Sequence, residues 1–205
     1  MNNYFITGIG TDVGKTLAAA IITEALKADY WKPIQSGLEE TDASKLRSLI
    51  SNKSTTIHPE AYRLQTPMSP HKAAEIDGVQ IEMSDIVRPI TQADLVIEGA
   101  GGLLVPINQE QTIADLIHKE DKVILVSSGY LGSINHTLLS LQVLKQLGVT
   151  QVGVLYNDVR LEGTIEIIEE MTGIPTLGHL PRLEKLDPEI IKDLAGSLRE
   201  KLRAL

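Results

Sequence analysis

The stretch from Tyr4 to Ala20 constrains this chain more than any other. Tyr4-Phe5-Ile6-Thr7 is a β-rich run and Gly8-Ile9-Gly10-Thr11-Asp12-Val13-Gly14-Lys15-Thr16 is a glycine-rich turn, while Leu17-Ala18-Ala19-Ala20 begins a run of strong helix formers. Strand, glycine loop, Gly-Lys-Thr and helix, in that order, form a phosphate-binding P-loop. Glycines permit positive φ and let backbone N–H groups close on an anion. The helix opening near Gly14 points its free N–H groups and positive dipole end at the same anion. Lys15 adds a mobile charge for the β- and γ-phosphates, and the Thr16 hydroxyl is a ligand for Mg²⁺. The spacing is unusual, with five residues between Gly8 and Gly14 where the common motif has four. A plain glycine turn is the alternative, but Gly-Lys-Thr at the junction favours phosphate.

A phosphate loop needs a sheet behind it, and the composition agrees. Among 205 residues, apolar types make up 42% and aromatics only 3%, so the core is Ile, Leu, Val and Ala. That suits one α/β domain spanning residues 1–205, a P-loop NTPase-like three-layer fold with a mostly parallel central sheet flanked by helices. Net charge is −8, which argues against nucleic acid or an anionic membrane as the main partner. No apolar run reaches the length of a membrane span. The chain enters its first strand almost at once, leaving no room for a signal peptide, and it has no cysteine. Both suit a cytoplasmic protein. Five histidines lack metal-ligand spacing.

Further along, Asp29 to Ile34 reads as a short strand stopped by Pro33, with Lys32 at its carboxyl end, where open parallel sheets gather their ligands. Asp42 opens a helix over 43–50. It either favours the helix N-terminus or offers a carboxylate to Mg²⁺. Residues 51–70 read as a long excursion over the sheet edge, and helices are expected over 72–76 and 82–91. Leu95-Val96-Ile97 is a buried strand, and Glu98 stands at its end before Gly99-Ala100-Gly101-Gly102. A P-loop protein keeps a second metal-organising carboxylate at such a place. Strands are expected over 122–127, 151–156 and 176–180. Helices are expected from the Gly132–Asn135 segment to Leu147, over 162–171, and over 188–205 at helical apolar spacing.

Taken together, these motifs make the chain resemble the dethiobiotin synthetases. The carriers are Thr7-Gly8 through Thr16, Lys32-Pro33-Ile34-Gln35-Ser36-Gly37 with Asp42, Thr66-Pro67-Met68-Ser69-Pro70-His71, Glu98 to Gly102, Leu131 to His136, Asn157-Asp158 and Leu180-Pro181. The longer phosphate loop is usual in that family. The resemblance implies ATP- and Mg²⁺-dependent conversion of 7,8-diaminononanoate and CO₂ (or bicarbonate) to dethiobiotin, ADP and phosphate. It implies catalytic roles for Lys15, Lys32 and Thr11, and Mg²⁺ ligation by Thr16, Asp42 and Glu98. The ATP site would comprise Asp12, Val13, Gly14, Lys15, Thr16, Leu17, Asp42, Glu98, Gly99, Ala100, Gly101, Asn157, Asp158, Pro181, Arg182 and Leu183. Ser36, Pro70, Gly132, Ser133, Ile134 and Asn135 would bind substrate, the last four across a homodimer interface.

Several positions depart from the family pattern. Ile9 and Gly10 replace polar residues of the loop, Asp12 keeps a charge on a shorter arm, and Tyr130 stands where a lysine can occur. The rival class is a nucleotide-switched partitioning or assembly ATPase of the same P-loop branch. That class carries a signature lysine five residues before the loop lysine, a place held here by Gly10. A bare nucleotide-binding module is a second rival, and Lys32 and Ser36 beside the loop argue against it.

Overall fold

The computed structural model describes residues 1–160, 162–183 and 185–205. Its central sheet has seven strands in the order β4-β2-β6-β1-β7-β8-β9. These are β1 (Asn3–Gly8), β2 (Asp29–Trp31), β4 (Ile57–His58), β6 (Leu95–Gly102), β7 (Lys122–Ser128), β8 (Val152–Asn157) and β9 (Thr176–Leu180). A separate two-stranded ribbon joins β3 (Ile34–Ser36) to β5 (Tyr62–Leu64). Every strand pairing is parallel.

Side chains alternate between the two faces of the sheet, as the strand period of two requires. Tyr4, Ile6, Tyr30, Val96, Ile124, Val126 and Leu155 join one core, with α1 (Lys15–Leu26), α2 (Asp42–Leu49) and α6 (Pro188–Ala204). Phe5, Trp31, Leu95, Ile97, Val123, Leu125, Val154 and Tyr156 join the other, with α3 (Pro70–Asp77), α4 (Ser133–Gln146) and α5 (Thr164–Thr172). The result is the expected three layers. Helix α1 is apolar almost all round because the sheet, α2 and α6 all cover it. Helix α6 buries Ile191, Ala195, Leu198 and Leu202 along one stripe and opens on Pro188, with Asp187 accepting from the N–H groups of Glu189 and Ile190. No described helix is long and apolar enough to cross a membrane.

The structure corrects three local expectations. The helix over 82–91 is a single 3₁₀ turn at Met83–Asp85. Pro89 disfavours helix at Arg88, and the Arg88 guanidinium instead clamps Asp121 with two bonds of 2.7 Å and the Leu116 carbonyl at 2.6 Å. The excursion over 51–70 holds two short strands, β4 on the sheet edge and β5 on the ribbon. Glu98 does not end its strand, because β6 runs on through a bulge, with Gly101 left-handed at φ +64°, as far as the Gly8–Gly102 pair.

Candidate functional site

Register and parity build the site. Strand β2 aligns Trp31 with Ile97 of β6, so Lys32 stands beside Glu98. Glu98 shares the face of Val96, and Lys32 that of Tyr30, and this is the face on which α1 lies. Helix α1 opens at Lys15 behind Gly14, which sits at φ +96°. A Cβ there would drive into the Asn157 amide, so only glycine fits. Asp12 is also left-handed, at φ +57°, a conformation aspartate tolerates better than most residues.

The loop opens on a cavity of about 840 Å³. Thr11, Asp12, Gly14, Lys15, Thr16 and Leu17 line one side. Lys32, Gln35, Ser36, Asp42, Pro70, Glu98, Ala100 and Gly101 are among the residues lining the rest. At its base lies a polar cluster. The Thr16 hydroxyl is 2.8 Å from Asp42 Oδ1 and 2.9 Å from Glu98 Oε1. Lys32 Nζ reaches Asp42 Oδ2 at 2.6 Å, Glu98 Oε1 at 3.2 Å and the Gly99 carbonyl at 3.3 Å. The Tyr30 hydroxyl donates to Glu98 Oε2 at 2.8 Å. Glu98 and Lys32 are 1% and 4% exposed, so these charges meet with little water to screen them.

Burial and then the nearby Lys32 charge push the Lys15 amine down to about 8, against the opposing pull of Glu98, Asp42 and Asp12. In the same structure its Nζ donates to the Gly10 carbonyl at 2.7 Å. Burial also works against the charged form of Lys32, but Glu98 and Asp42 outweigh it and hold the amine above its usual range. Burial works against the Asp42 carboxylate, yet Lys32 and the Thr16 hydroxyl keep it below its ordinary value. Among the described residues no group of three or more His, Cys, Asp or Glu could hold a metal ion. A divalent cation here would rest on Thr16 and two carboxylates, with the remaining ligands from its bound partner and water.

The other sequence-derived candidates lie outside this cavity. Val13 is buried, and its carbonyl accepts from Asn157 Nδ2 at 3.0 Å, so Asn157 braces the loop from below. Gly99 packs against Phe5 and Ile113. The Asp158 N–H binds the Leu180 carbonyl at 3.0 Å, which sets Pro181, Arg182 and Leu183 beside Asn157 at the ends of β8 and β9. Gly132, Ser133, Ile134 and Asn135 lie at the start of α4 and do not line this cavity. Asn135 lines a second hollow, against the turn after α5. Sequence reasoning missed Tyr30 and Gln35. The Gln35 side chain accepts from the Asp42 N–H at 3.0 Å and donates to the Ser36 and Gly37 carbonyls. Parity with Lys32 was the available signal for Tyr30, and its place inside the Lys32–Gly37 motif was the signal for Gln35.

The AAA domain family matches residues 2–190. An ATP-dependent dethiobiotin synthetase BioD from Christiangramia forsetii is 51% identical over 201 residues, covering 98% of this chain and 97% of that protein. Its counterpart from Cytophaga hutchinsonii is 50% identical, covering 97% of each. The MinC:MinD cell division complex of Aquifex aeolicus superposes with a TM-score of 0.62 at 15% identity, over 100% of this chain and 97% of that one. A ParA family ATPase from Chlorobium tepidum gives 0.58 at 14% over 99% and 92%. Identities that low establish the shared P-loop fold alone. Half-identity over almost the whole length goes further, and the chain belongs to the family of ATP-dependent dethiobiotin synthetases.

Proposed function

We propose that residues 1–205 act as one catalytic domain that joins 7,8-diaminononanoate and CO₂ into dethiobiotin at the expense of ATP. One substrate amine adds to CO₂ and loses a proton, giving a carbamate. A carbamate oxygen attacks the γ-phosphorus, and the bond to ADP breaks. The second amine attacks the carbonyl of the mixed anhydride and expels phosphate, closing the ring. Negative charge develops on oxygens at each stage, so fixed cations and in-line placement carry the catalysis.

The observation that carries this reading is Lys32, a buried ammonium in the same cavity as Lys15 and Thr16. Lys15 serves the phosphates together with the loop N–H groups, Lys32 serves the carbamate and γ-phosphoryl oxygens, and Thr11 completes the mouth of the site. Ser36 ends β3 with a buried hydroxyl that has no partner, and with Pro70 it is suited to the diamine. Asn157, Asp158 and the Pro181–Leu183 turn are suited to the adenine. The Gly132–Asn135 segment lines no part of this cavity, and Gly132 and Asn135 are exposed. This supports a role for them at a neighbouring subunit's substrate carboxylate in a homodimer.

The residues also fit Mg²⁺. The Thr16 hydroxyl lies within 2.9 Å of one oxygen of each carboxylate, and all three donors are hard oxygens of the kind Mg²⁺ prefers. Thr16, Asp42 and Glu98 would hold the ion, which when bound neutralises charge on the triphosphate. A chain without cysteine suits a reducing cytoplasm. The test is phosphate release from Mg·ATP with diaminononanoate and bicarbonate, omitting each in turn. Release that needs all of them is expected. Hydrolysis indifferent to the diamine overturns this reading in favour of a switch ATPase.

A further inference from the structure

We propose that Tyr30 is a positioning residue that fixes which carboxylate oxygen of Glu98 faces the metal. The inference rests on the Mg²⁺ role assigned to Glu98 under the proposed function. Tyr30 is fully buried on β2, in the core that also holds α1. It pairs with Val96 on the neighbouring strand, and its ring runs up the strand until the hydroxyl meets Glu98 Oε2 at 2.8 Å.

The geometry divides the two oxygens of Glu98. Oε1 faces Thr16 at 2.9 Å and Lys32 at 3.2 Å, inside the cavity. Oε2 is held by Tyr30. A carboxylate 1% exposed with only one oxygen engaged could turn about its last bond and present either edge or both. A phenol has one proton to give, and Glu98 is the acceptor it reaches. Hydrogen bonds of this kind behind a metal ligand orient it, and losing one typically costs about 10- to 100-fold in metal affinity.

The test is Tyr30→Phe, which removes one oxygen and keeps the ring in the core. Mn²⁺ binding is measured by electron paramagnetic resonance, with a non-hydrolysable ATP analogue bound and no diamine present. The ring-closing reaction is therefore not needed for the readout, and failure of the proposed activity is distinguishable from failure of this inference. The Mn²⁺ dissociation constant is expected to rise about 10-fold or more, while affinity for the analogue in chelator stays within about twofold, because most triphosphate contacts come from the loop and Lys15. A residue that merely fills the core would leave Mn²⁺ affinity unmoved, and that result overturns the inference. In a Glu98→Gln background, removing the hydroxyl is expected to change Mn²⁺ affinity by less than about twofold, since the two act through one carboxylate. A further tenfold loss there also overturns it. Should Tyr30→Phe alone fail to fold, the double variant keeps the inference refutable through that further loss, because neutralising Glu98 removes the buried charge that the lost hydroxyl leaves unpaired.

Discussion

Replacing Lys32 with methionine keeps the stem of the side chain and deletes its charge. In the absence of metal, Asp42 and Glu98 would then share the base of the cavity without a cation. Lys32 lies 2.6 Å from one carboxylate and 3.2 Å from the other. At an effective dielectric constant near 20 each attraction is about 5–6 kcal/mol, and burying three charges offsets much of it. Removing one member of a buried ion pair nonetheless costs about 3–5 kcal/mol, because the remaining charge stays buried without compensation. For a chain of this size, about 2–4 °C of melting temperature accompanies each kcal/mol, so Lys32→Met is expected to melt roughly 6–20 °C lower in metal-free buffer. Mg²⁺ should restore a larger part of that loss in the variant than it adds to the parent, since it supplies the missing cation. Circular dichroism melts with and without Mg²⁺ measure both quantities. Single-turnover chemistry with Mg·ATP bound should fall about a hundredfold or more, the usual cost of one preorganised charge at a developing oxyanion. Unchanged melting together with an equal Mg²⁺ response in both proteins would refute the idea that Lys32 neutralises the two carboxylates. Intact turnover would refute its role at the reacting oxygens.

Two further predictions concern the phosphate loop. Lys15 is pushed down to about 8, and a bound triphosphate favours its charged form, so nucleotide binding at pH 8 is expected to take up about half a proton and to weaken as pH rises. Between pH 8 and the ordinary lysine range the unfolded chain holds more protons at this residue than the folded one, so this group's contribution to stability grows with pH. Calorimetry in buffers of different ionisation enthalpy reads the uptake, and proton release at pH 8 would contradict the assignment. Asn157→Ala removes the bond to the Val13 carbonyl and the surface beneath Gly14. A net loss of about 1 kcal/mol, or roughly fivefold in nucleotide affinity, is expected, and unchanged affinity in a nucleotide titration would show that the loop holds itself.

The P-loop was legible because strand, glycines, Gly-Lys-Thr and helix are all local features, and each implies the next. Lys32 was legible because Pro33 marks the end of a strand and ligands gather at strand ends. The two short strands after residue 51 were not legible, because two or three residues are too few to show a period. Residues 82–91 carry a local signal against helix in Pro89 and the β-branched Ile86, Val87, Ile90 and Thr91. What places them is a long-range clamp between Arg88 and Asp121, to which a pattern of neighbours is blind. The same limit hid the brace of Glu98 by Tyr30 and that of the loop by Asn157, contacts between residues far apart in the chain. Local signals named the groups that meet the nucleotide, and tertiary contacts decide how firmly each is held.

The place of β1 in the sheet also bears on the order of synthesis. The strand that carries the phosphate loop lies between β6 and β7, partners that leave the ribosome roughly a hundred residues later, and such distant pairing makes folding slow. Until residue 128 has emerged, the loop has no neighbour on one side, and the Asn157 beneath it comes later still. A nascent chain therefore cannot use ATP as an early template. The nucleotide is expected to steady only the nearly finished protein, and truncated or stalled chains would gain nothing from it.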